Sequence, residues 1–251
     1  MQAACVMRRT FDPRELSSLS IADHRLVAER VQLVKNEGDV RAIQLVKSSG
    51  APFQALAIGE LDGTTRVHLF VYGAEEVWEL GATLAHDLDE MQAARMIAAQ
   101  VRRLEGVQLV SMGCVEQDTG RDLLPGLVAA ALGWELFSNV LSLRVEGERA
   151  RLTQATDGGS QEIDVPLPIC ISADESCGVG RDPSDEYDLI EKLEKRGSRQ
   201  ASAAELGVAA AEAAAVLAEL SAPPERQPQP VLVSGAETVA KVAEMLRRFQ
   251  A

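Results

Sequence analysis

The chain has 251 residues, of which 46% are hydrophobic and only 4% aromatic, so its core must be built mainly from aliphatic side chains and alanine. Its formal net charge of −13 argues against a nucleic-acid partner, which needs clustered lysine and arginine, and against binding to an anionic membrane surface. No stretch of about 18 apolar residues is free of charge, so the sequence predicts no direct membrane insertion.

The cysteines and histidines point to neither a metal centre nor a disulfide framework. No two cysteines have the C-x-x-C spacing of zinc or iron–sulfur sites, and the three histidines are isolated. The apolar residues 1–7 precede Arg8 and Arg9, which is the reverse of the order in a secretory signal. We therefore expect a cytoplasmic protein without a metal site. The cysteines are Cys5, Cys114, Cys170 and Cys177.

The first half of the chain alternates between apolar runs of strand length and segments of helical period. The predicted elements are a strand at 3–7, a loop at 8–20, a helix at 23–38 ending at Gly38, a strand at 40–46, a helix at 52–61, a strand at 67–72, a helix at 89–104, a strand at 107–112 and a helix at 119–132. Such alternation predicts a doubly wound α/β fold with a parallel sheet. Ligands of such sheets bind at the carboxyl ends of the strands, so the loops after Met7, Val46 and Met112 are the expected site.

The second half changes character after Trp134. Alternating apolar residues and two tight turns predict a small antiparallel excursion, followed by a core strand; the segments are 140–145, 149–156, 163–167 and 168–173. The rest consists of a weak helix at 186–196, an alanine-rich helix at 202–220, a proline-rich linker and a last helix at 239–249. Because this part has little apolar surface, we expect a core over 1–190 and an extended C-terminal tail over 191–251 that packs on the core or on a partner.

The most specific signal lies in residues 157–174. Asp157-Gly158-Gly159 is followed by Gln161-Glu162-Ile163, then by Pro166-Leu167-Pro168 and an apolar strand that ends in Ser172-Ala173-Asp174. This stretch resembles the signature of electron-transfer flavoprotein β subunits. Three earlier pieces of the chain are also similar to that family and occur in the family's order and spacing. They are Met7 to Asp12 after the first strand, the helix-like run 27–33, and the loop from Gly113 to Thr119-Gly120.

The resemblance implies an adenine-nucleotide α-hydrolase-like core and a non-enzymatic electron carrier that works as a heterodimer with an α subunit. In that family the α subunit holds most of the FAD, β contributes one wall, and many β subunits also bury an AMP. Electrons arrive from a flavin-dependent dehydrogenase and leave to a quinone reductase or a similar acceptor. A loop after the Ser-Ala-Asp strand, here about 175–196, would dock the donor.

Two sets of site residues follow from the resemblance, and neither is catalytic. The cofactor-binding positions are Val6, Asp12, Pro13, Ser20, Ile21, Ala22, Asp23, Lys47, Gly113, Cys114, Val115, Glu116, Gln117, Asp118, Thr119 and Gly120. The positions for partner docking are Tyr187, Leu189, Ile190 and Lys192.

Departures from the family pattern argue against AMP. The nucleotide loop is short, and Glu116 and Asp118 would repel a phosphate unless a cation neutralises them. Ala22 stands where the family has an aromatic residue near the flavin. One alternative is therefore a structural or docking β-like subunit that has lost its nucleotide. An independent nucleotide-binding enzyme ranks last, because residues 8–16 contain no glycine for a phosphate loop. The donor, the acceptor, the retention of AMP, electron bifurcation and the stoichiometry beyond an αβ pair stay open.

Overall fold

The computed structural model describes residues 1–15, 20–22, 25–27, 32–81, 89–178, 183–208 and 236–249. The chain divides into two compact units, one of residues 1–20 with 27–218 and one of residues 21–26 with 219–251. The strands are β1 (Gln2–Met7), β2 (Arg9–Phe11), β3 (Ser20–Ala22), β4 (Arg25–Val27), β5 (Leu33–Lys35), β6 (Phe53–Ile58), β7 (Val77–Leu80), β8 (Val107–Gly113), β9 (Glu135–Glu146), β10 (Arg149–Thr156), β11 (Gly159–Pro166), β12 (Ile169–Ala173) and β13 (Arg199–Ala201). The helices are α1 (Glu37–Ser49), α2 (Gly63–Tyr72), α3 (Glu90–Arg103), α4 (Leu124–Leu132), α5 (Tyr187–Leu193) and α6 (Ala236–Phe249).

A nine-stranded sheet forms the first unit, in the order β11-β10-β9-β12-β8-β1-β6-β7-β13. Neighbouring strands from β9 to β13 in this order are parallel, whereas β9, β10 and β11 pair antiparallel at one edge. Helices α1 and α2 contribute to the apolar cluster on one face, and α3 and α4 to the cluster on the other. The predicted doubly wound α/β fold with a small antiparallel excursion is therefore confirmed.

The elements predicted between residues 23 and 72 are wrong in type. The structure has strands at β4 and β5 where a helix was expected, and Gly38 lies in the first turn of α1 instead of ending a helix. Residues 40–46 belong to helix α1, residues 53–58 form strand β6, and residues 67–72 belong to helix α2. The cause is that a short run of apolar residues fits a buried helix as well as a buried strand.

Local contacts explain the actual elements. Pro52 does not open a helix; its carbonyl accepts a hydrogen bond of 2.9 Å from the backbone N–H of Ala3, at the start of β1. All six residues of β6 are buried, as expected of a central parallel strand. Helix α2 begins at Gly63 because the side chain of Asp62 accepts the N–H of Thr65 at 2.8 Å.

The remaining predictions fared better. The helix at 89–104, the strand at 107–112, the strands and turns of 140–173 and the last helix are confirmed, although the last helix begins earlier, at Ala236. The helix expected from Thr119 begins only at Leu124. Residues 203–207 form a turn, and the rest of the expected alanine-rich helix and the proline-rich linker lie outside the described residues. The boundary at residue 190 stays a prediction. Among the helices described, none has the length and apolar character needed to cross a membrane.

Candidate functional site

The candidate site lies where the carboxyl ends of β1 and β8 meet the first turn of α1. β1 has β6 on one side and β8 on the other, and both pair with it in parallel. After β1 the chain continues into α1 on one face of the sheet, and after β8 it continues into α4 on the other face. This is the crevice in which open α/β sheets bind their ligands.

Arg8, directly after β1, is the central side chain of the site and only 1% exposed. Its Nε and Nη2 donate to the carboxylate of Asp39 at 3.0 and 2.8 Å, and Nη2 also donates to the carbonyl of Gly113 at 3.1 Å. Nη1 lies 3.6 Å from Oε1 of Glu116. Burial alone would lower the pKa of Arg8, but the carboxylates of Asp39 and Glu116 outweigh it, so the pKa is raised. The cation of Arg8 is thus paired inside the protein.

Asp39 joins three elements at this point. Besides Arg8, its Oδ1 accepts the backbone N–H of Gly113 at 2.8 Å, and its Oδ2 accepts the backbone N–H of Arg8 at 2.8 Å. Its position in the first turn of α1 also favours a negative charge, because the helix dipole is positive there. One buried carboxylate therefore holds the ends of β1 and β8 against α1.

The loop of residues 113–120 is tied to α1 through amide side chains. Asn36 donates through Nδ2 to the carbonyl of Val115 and accepts through Oδ1 from the N–H of Gln117, both at 3.1 Å. Gln117 in turn accepts the N–H of Glu37 at 3.2 Å. The loop therefore supplies the acceptor for one of the N–H groups that open α1.

The same loop is also tied to β2. Gln117 donates through Nε2 to Oγ1 of Thr10 at 2.9 Å, and Oδ2 of Asp118 accepts the backbone N–H of Phe11 at 2.8 Å. At its end, Thr119 donates to Oε2 of Glu116 at 2.7 Å, and the N–H of Gly120 donates to the carbonyl of Glu116 at 2.9 Å. Thr119 and Gly120 thus close a turn on Glu116 and do not open a helix.

Two glycines let the loop approach α1. A Cβ on Gly113 would lie 2.4 Å from the carbonyl carbon of Gly38 and 2.6 Å from the backbone nitrogen of Asp39. A Cβ on Gly38 would lie 3.2 Å from the carbonyl oxygen of Val115. At these two glycines the backbone of the loop therefore packs directly on the backbone of the helix.

The comparisons with known proteins match a region that includes α1 and the loop at residues 113–120. A family model described as "Electron transfer flavoprotein domain" matches residues 28–184, which is more than half of the chain. The chain belongs to the electron transfer flavoprotein family. The residues matched include every strand of the large sheet except β1 and β13.

The similar curated proteins are β subunits of electron transfer flavoproteins. A "Probable electron transfer flavoprotein subunit beta" of Schizosaccharomyces pombe is 30% identical over 95 residues, which cover 38% of this chain and 37% of that protein. The "Electron transfer flavoprotein subunit beta" of Syntrophomonas wolfei is 26% identical over 208 residues, or 80% of each chain, and that of Sus scrofa is 26% identical over 169 residues, or 67% and 65%. The match thus spans between about one third and four fifths of these relatives. At such identities the chain is a divergent member of the β subunit family, as its sequence predicts.

The structure brings together some of the residues expected to bind a cofactor. The loop from Gly113 to Gly120 surrounds the end of β8, and Asp12 and Pro13 form a turn directly after β2, which contacts that loop. Pro13 is exposed, and Asp12 is fixed by Arg14, whose Nη2 lies 2.6 Å from its Oδ2. The turn therefore presents a firm surface beside the loop.

Other expected residues lie elsewhere. Val6 has no exposed surface and points into the core. Lys47 is in the last turn of α1, next to the start of β6, and therefore at the opposite edge of the sheet from the loop. The strand expected to place it at the carboxyl edge does not exist. Ser20, Ile21 and Ala22 form β3, which pairs with β4, and Asp23 lies outside the described residues.

Sequence reasoning missed the residues that organise the site. Asn36 and Asp39 were placed near the end of a predicted helix, although Asn-Glu-Gly-Asp at 36–39 is typical of a helix start. Thr10 and Phe11 could be recognised only from tertiary structure, because they contact residues more than 100 positions away.

The residues expected to dock a partner lie on α5. Tyr187 is 76% and Leu189 is 37% exposed, while Lys192 is exposed as well. Ile190 is half-buried and lines a cavity of about 360 Å³ together with Val67 and other residues of α2. Helix α5 therefore rests on α2 and presents apolar side chains to solvent.

Proposed function

We propose that this chain is the β subunit of a heterodimeric electron transfer flavoprotein. It would relay electrons from a flavin-dependent dehydrogenase, through FAD shared with an α subunit, to a downstream acceptor such as a quinone reductase. The observation that carries the proposal is the family match over residues 28–184, which covers most of the large sheet and the loop at its carboxyl edge.

The turn after β2 is the proposed contribution of this chain to the wall of the flavin site. FAD, when bound, supplies the capacity to accept and release electrons. The turn is held by hydrogen bonds of 2.9 Å from the N–H of Asp12 to the carbonyl of Gln32 and from the N–H of Arg14 to Asp12. A firm and exposed turn can exclude water from a cofactor held by a partner without changing shape.

Helix α5 is the proposed docking site for the donor dehydrogenase. Exposed apolar side chains are the usual anchors of protein interfaces, and Tyr187 combines a large ring with a polar hydroxyl group. The neighbouring charges are mixed, with Asp188 and Glu191 beside Lys192, so steering by net charge contributes little. The anchoring of α5 on α2 keeps these side chains in place before docking.

Helix α6 is the proposed attachment to the α subunit. Val239, Val242 and Leu246 lie on one face at helical spacing and are 70%, 49% and 59% exposed. Lys241 and Glu244 add charged groups to the exposed surface of the helix. An amphipathic helix of this kind gains stability when its apolar face is covered by a partner.

Co-expression with the α subunit encoded in the same organism tests the proposal. We expect a one-to-one complex that carries about one FAD per heterodimer, and we expect Val242→Asp to weaken the complex. Arg149→Gln, on an exposed ion pair of the antiparallel strands, is the control and should leave the complex intact. A chain that stays alone, or a stable complex that never carries flavin, would contradict the proposal.

A further inference from the structure

A nucleotide phosphate at the end of a parallel sheet needs three things from the protein. It needs backbone N–H groups without acceptors, a nearby helix N-terminus, and positive charge in excess of negative charge. Because the β subunit family is associated with a buried AMP, these requirements can be compared with the contacts of the loop at residues 113–120.

More than half of the backbone N–H groups from Gly113 to Arg121 already have acceptors inside the protein. Between Gly113 and Arg121, five of them donate to other groups of this chain; the acceptors are Oδ1 of Asp39, the carbonyl of Arg121, Oδ1 of Asn36, the carbonyl of Glu116 and Oγ1 of Thr119. A phosphate could use these five N–H groups only by breaking the hydrogen bonds that they already make.

The N-termini of the two nearby helices, α1 and α4, are also poorly suited to bind a phosphate. In α1, the N–H of Glu37 donates to Gln117, and the N–H groups of Asp39 and Val40 donate to the carbonyl of Asn36 at 3.1 Å. Helix α4 begins at Leu124, four residues beyond Gly120, so its N-terminus does not meet the loop at Thr119-Gly120. Three of the first N–H groups of α1 therefore already have acceptors, and the first turn of α4 begins beyond the loop.

The charge around the loop is unfavourable for an anion. Arg8 is paired with Asp39 by hydrogen bonds, and its Nη1, which has no hydrogen-bond partner among the described residues, is buried 3.6 Å from Oε1 of Glu116. A cavity between α1 and the loop measures about 290 Å³ and is lined by Arg41 together with the carboxylates of Glu37 and Glu175. Arg41 already donates to the carbonyl of Cys177 at 2.7 Å and lies 3.5 Å from Glu37. The residues present therefore do not fit AMP.

We propose that this chain holds no adenine nucleotide at the ends of β1 and β8, and that Asn36, Asp39 and Gln117 take over the structural part that a buried nucleotide would have. These side chains connect the loop to α1 and β2, which is what a ligand between the same elements would do. The inference depends on contacts within this chain and does not depend on electron transfer. An experiment can therefore reject it without rejecting the proposed function.

The first test measures nucleotides released from the full-length chain, purified alone and with its α subunit, after denaturation. We expect FAD only from the complex and no AMP, ADP or ATP from either sample. Added AMP should leave the melting temperature of the chain unchanged, whereas a ligand at about 100 times its Kd raises it by several degrees. Release of about one AMP per chain, or a saturable rise of the melting temperature, would overturn the inference. Absence of FAD together with absence of AMP would contradict the proposed function alone.

The second test removes the amide that replaces the ligand. Gln117→Ala should lower the melting temperature by several degrees, because it leaves the N–H of Glu37 without its acceptor and frees the loop from Thr10. Gln161→Ala is the matched control, since this glutamine is exposed and its Nε2 donates to Oε1 of Gln154 at 2.9 Å, on the neighbouring strand. Equal melting temperatures of the two variants would show that Gln117 holds nothing together, and would overturn the structural part of the inference.

Discussion

Nη2 of Arg8 lies 2.8 Å from Oδ1 of Asp39, and neither side chain exposes more than 1% of its surface. The pair joins the end of β1 to the first turn of α1, and Asp39 extends the connection to Gly113 at the end of β8. A buried pair of this kind need not add net stability, but removal of one partner leaves the other charge buried and uncompensated.

Asp39→Asn should therefore lower the free energy of unfolding by about 3–5 kcal/mol, because Arg8 then lacks its main counter-charge. Urea denaturation followed by circular dichroism measures this change. Asp164→Asn is the control, because Asp164 pairs with Arg149 at the surface, where both side chains are about half exposed. It should cost at most about 1 kcal/mol. A similar small loss in both variants would mean that the buried pair does not hold the site together.

Gly113→Ala should destabilise the chain by about 1–3 kcal/mol or more, because the new Cβ would lie 2.4 Å from a backbone atom of α1. Gly126→Ala, in helix α4, is the matched control, since a Cβ there meets nothing within 4 Å. It should stabilise the chain by about 0.4–1 kcal/mol. Thermal unfolding of both variants gives the comparison, and a stable Gly113→Ala variant would show that the loop can move away from α1.

Asp62 caps helix α2 and makes stability depend on pH. Burial raises its pKa, but hydrogen bonds from Thr65 and the charge of Arg9 outweigh burial, so the pKa lies below its ordinary value. The carboxylate thus stabilises the fold above about pH 4, and this contribution is lost as the pH falls through the lowered pKa. Asp62→Ala should cost about 1 kcal/mol at pH 7, and the difference from the unaltered chain should shrink below about pH 3.

Asp62→Asn separates the cap from the charge. An asparagine can accept the same N–H of Thr65, so most of the stability at pH 7 should remain, while the dependence on pH attributed to Asp62 should disappear. Stability curves of the three proteins between pH 3 and pH 7 measure both effects. A constant difference between Asp62→Ala and the unaltered chain across this range would contradict the assignment.

Docking through α5 predicts a change in donor affinity without a change in flavin content. The double variant Tyr187→Ala and Leu189→Ala is tested in the complex with the α subunit, which serves as the electron acceptor in an assay of the dehydrogenase. The apparent KM of the dehydrogenase for this complex should rise by about tenfold or more, since anchor residues carry most of the binding energy. Leu123→Ala, which removes another leucine that is 60% exposed, is the control. Equal KM values for both variants would place the docking surface elsewhere.

The fold class could be predicted because it depends on the alternation of strands and helices along the chain more than on the correct type of each single element. Helix α3 and strands β8 to β12 have clear hydrophobic periods, and their positions agree with the prediction except that β9 and β11 begin earlier, at Glu135 and Gly159. Between residues 23 and 72, most segments are short and apolar, so helix and strand were exchanged over a series of elements. The exchanged series still alternates, and for this reason the predicted sheet remained parallel and doubly wound.

The site could be predicted only in part. The loop at 113–120 follows a strand whose apolar pattern is clear, so the sequence predicts it correctly. The apolar run at 40–46 predicts a strand that would place Lys47 beside this loop, but these residues form helix α1. Asp39 and Asn36 were missed through the same error. Nothing local marks Thr10 as a partner of Gln117, because that contact arises only when β2 and the loop meet in the folded chain.

The most direct test of electron transfer is the reduction of FAD in the presence and absence of this chain. The α subunit is loaded with FAD and mixed, without oxygen, with the flavin-dependent dehydrogenase and its substrate, and the flavin absorbance is followed by stopped flow. We predict rapid bleaching when this chain is present, slow bleaching when it is omitted, and recovery of the absorbance when an electron acceptor is added. Equal rates with and without the chain would contradict the proposed function as the β subunit of an electron carrier.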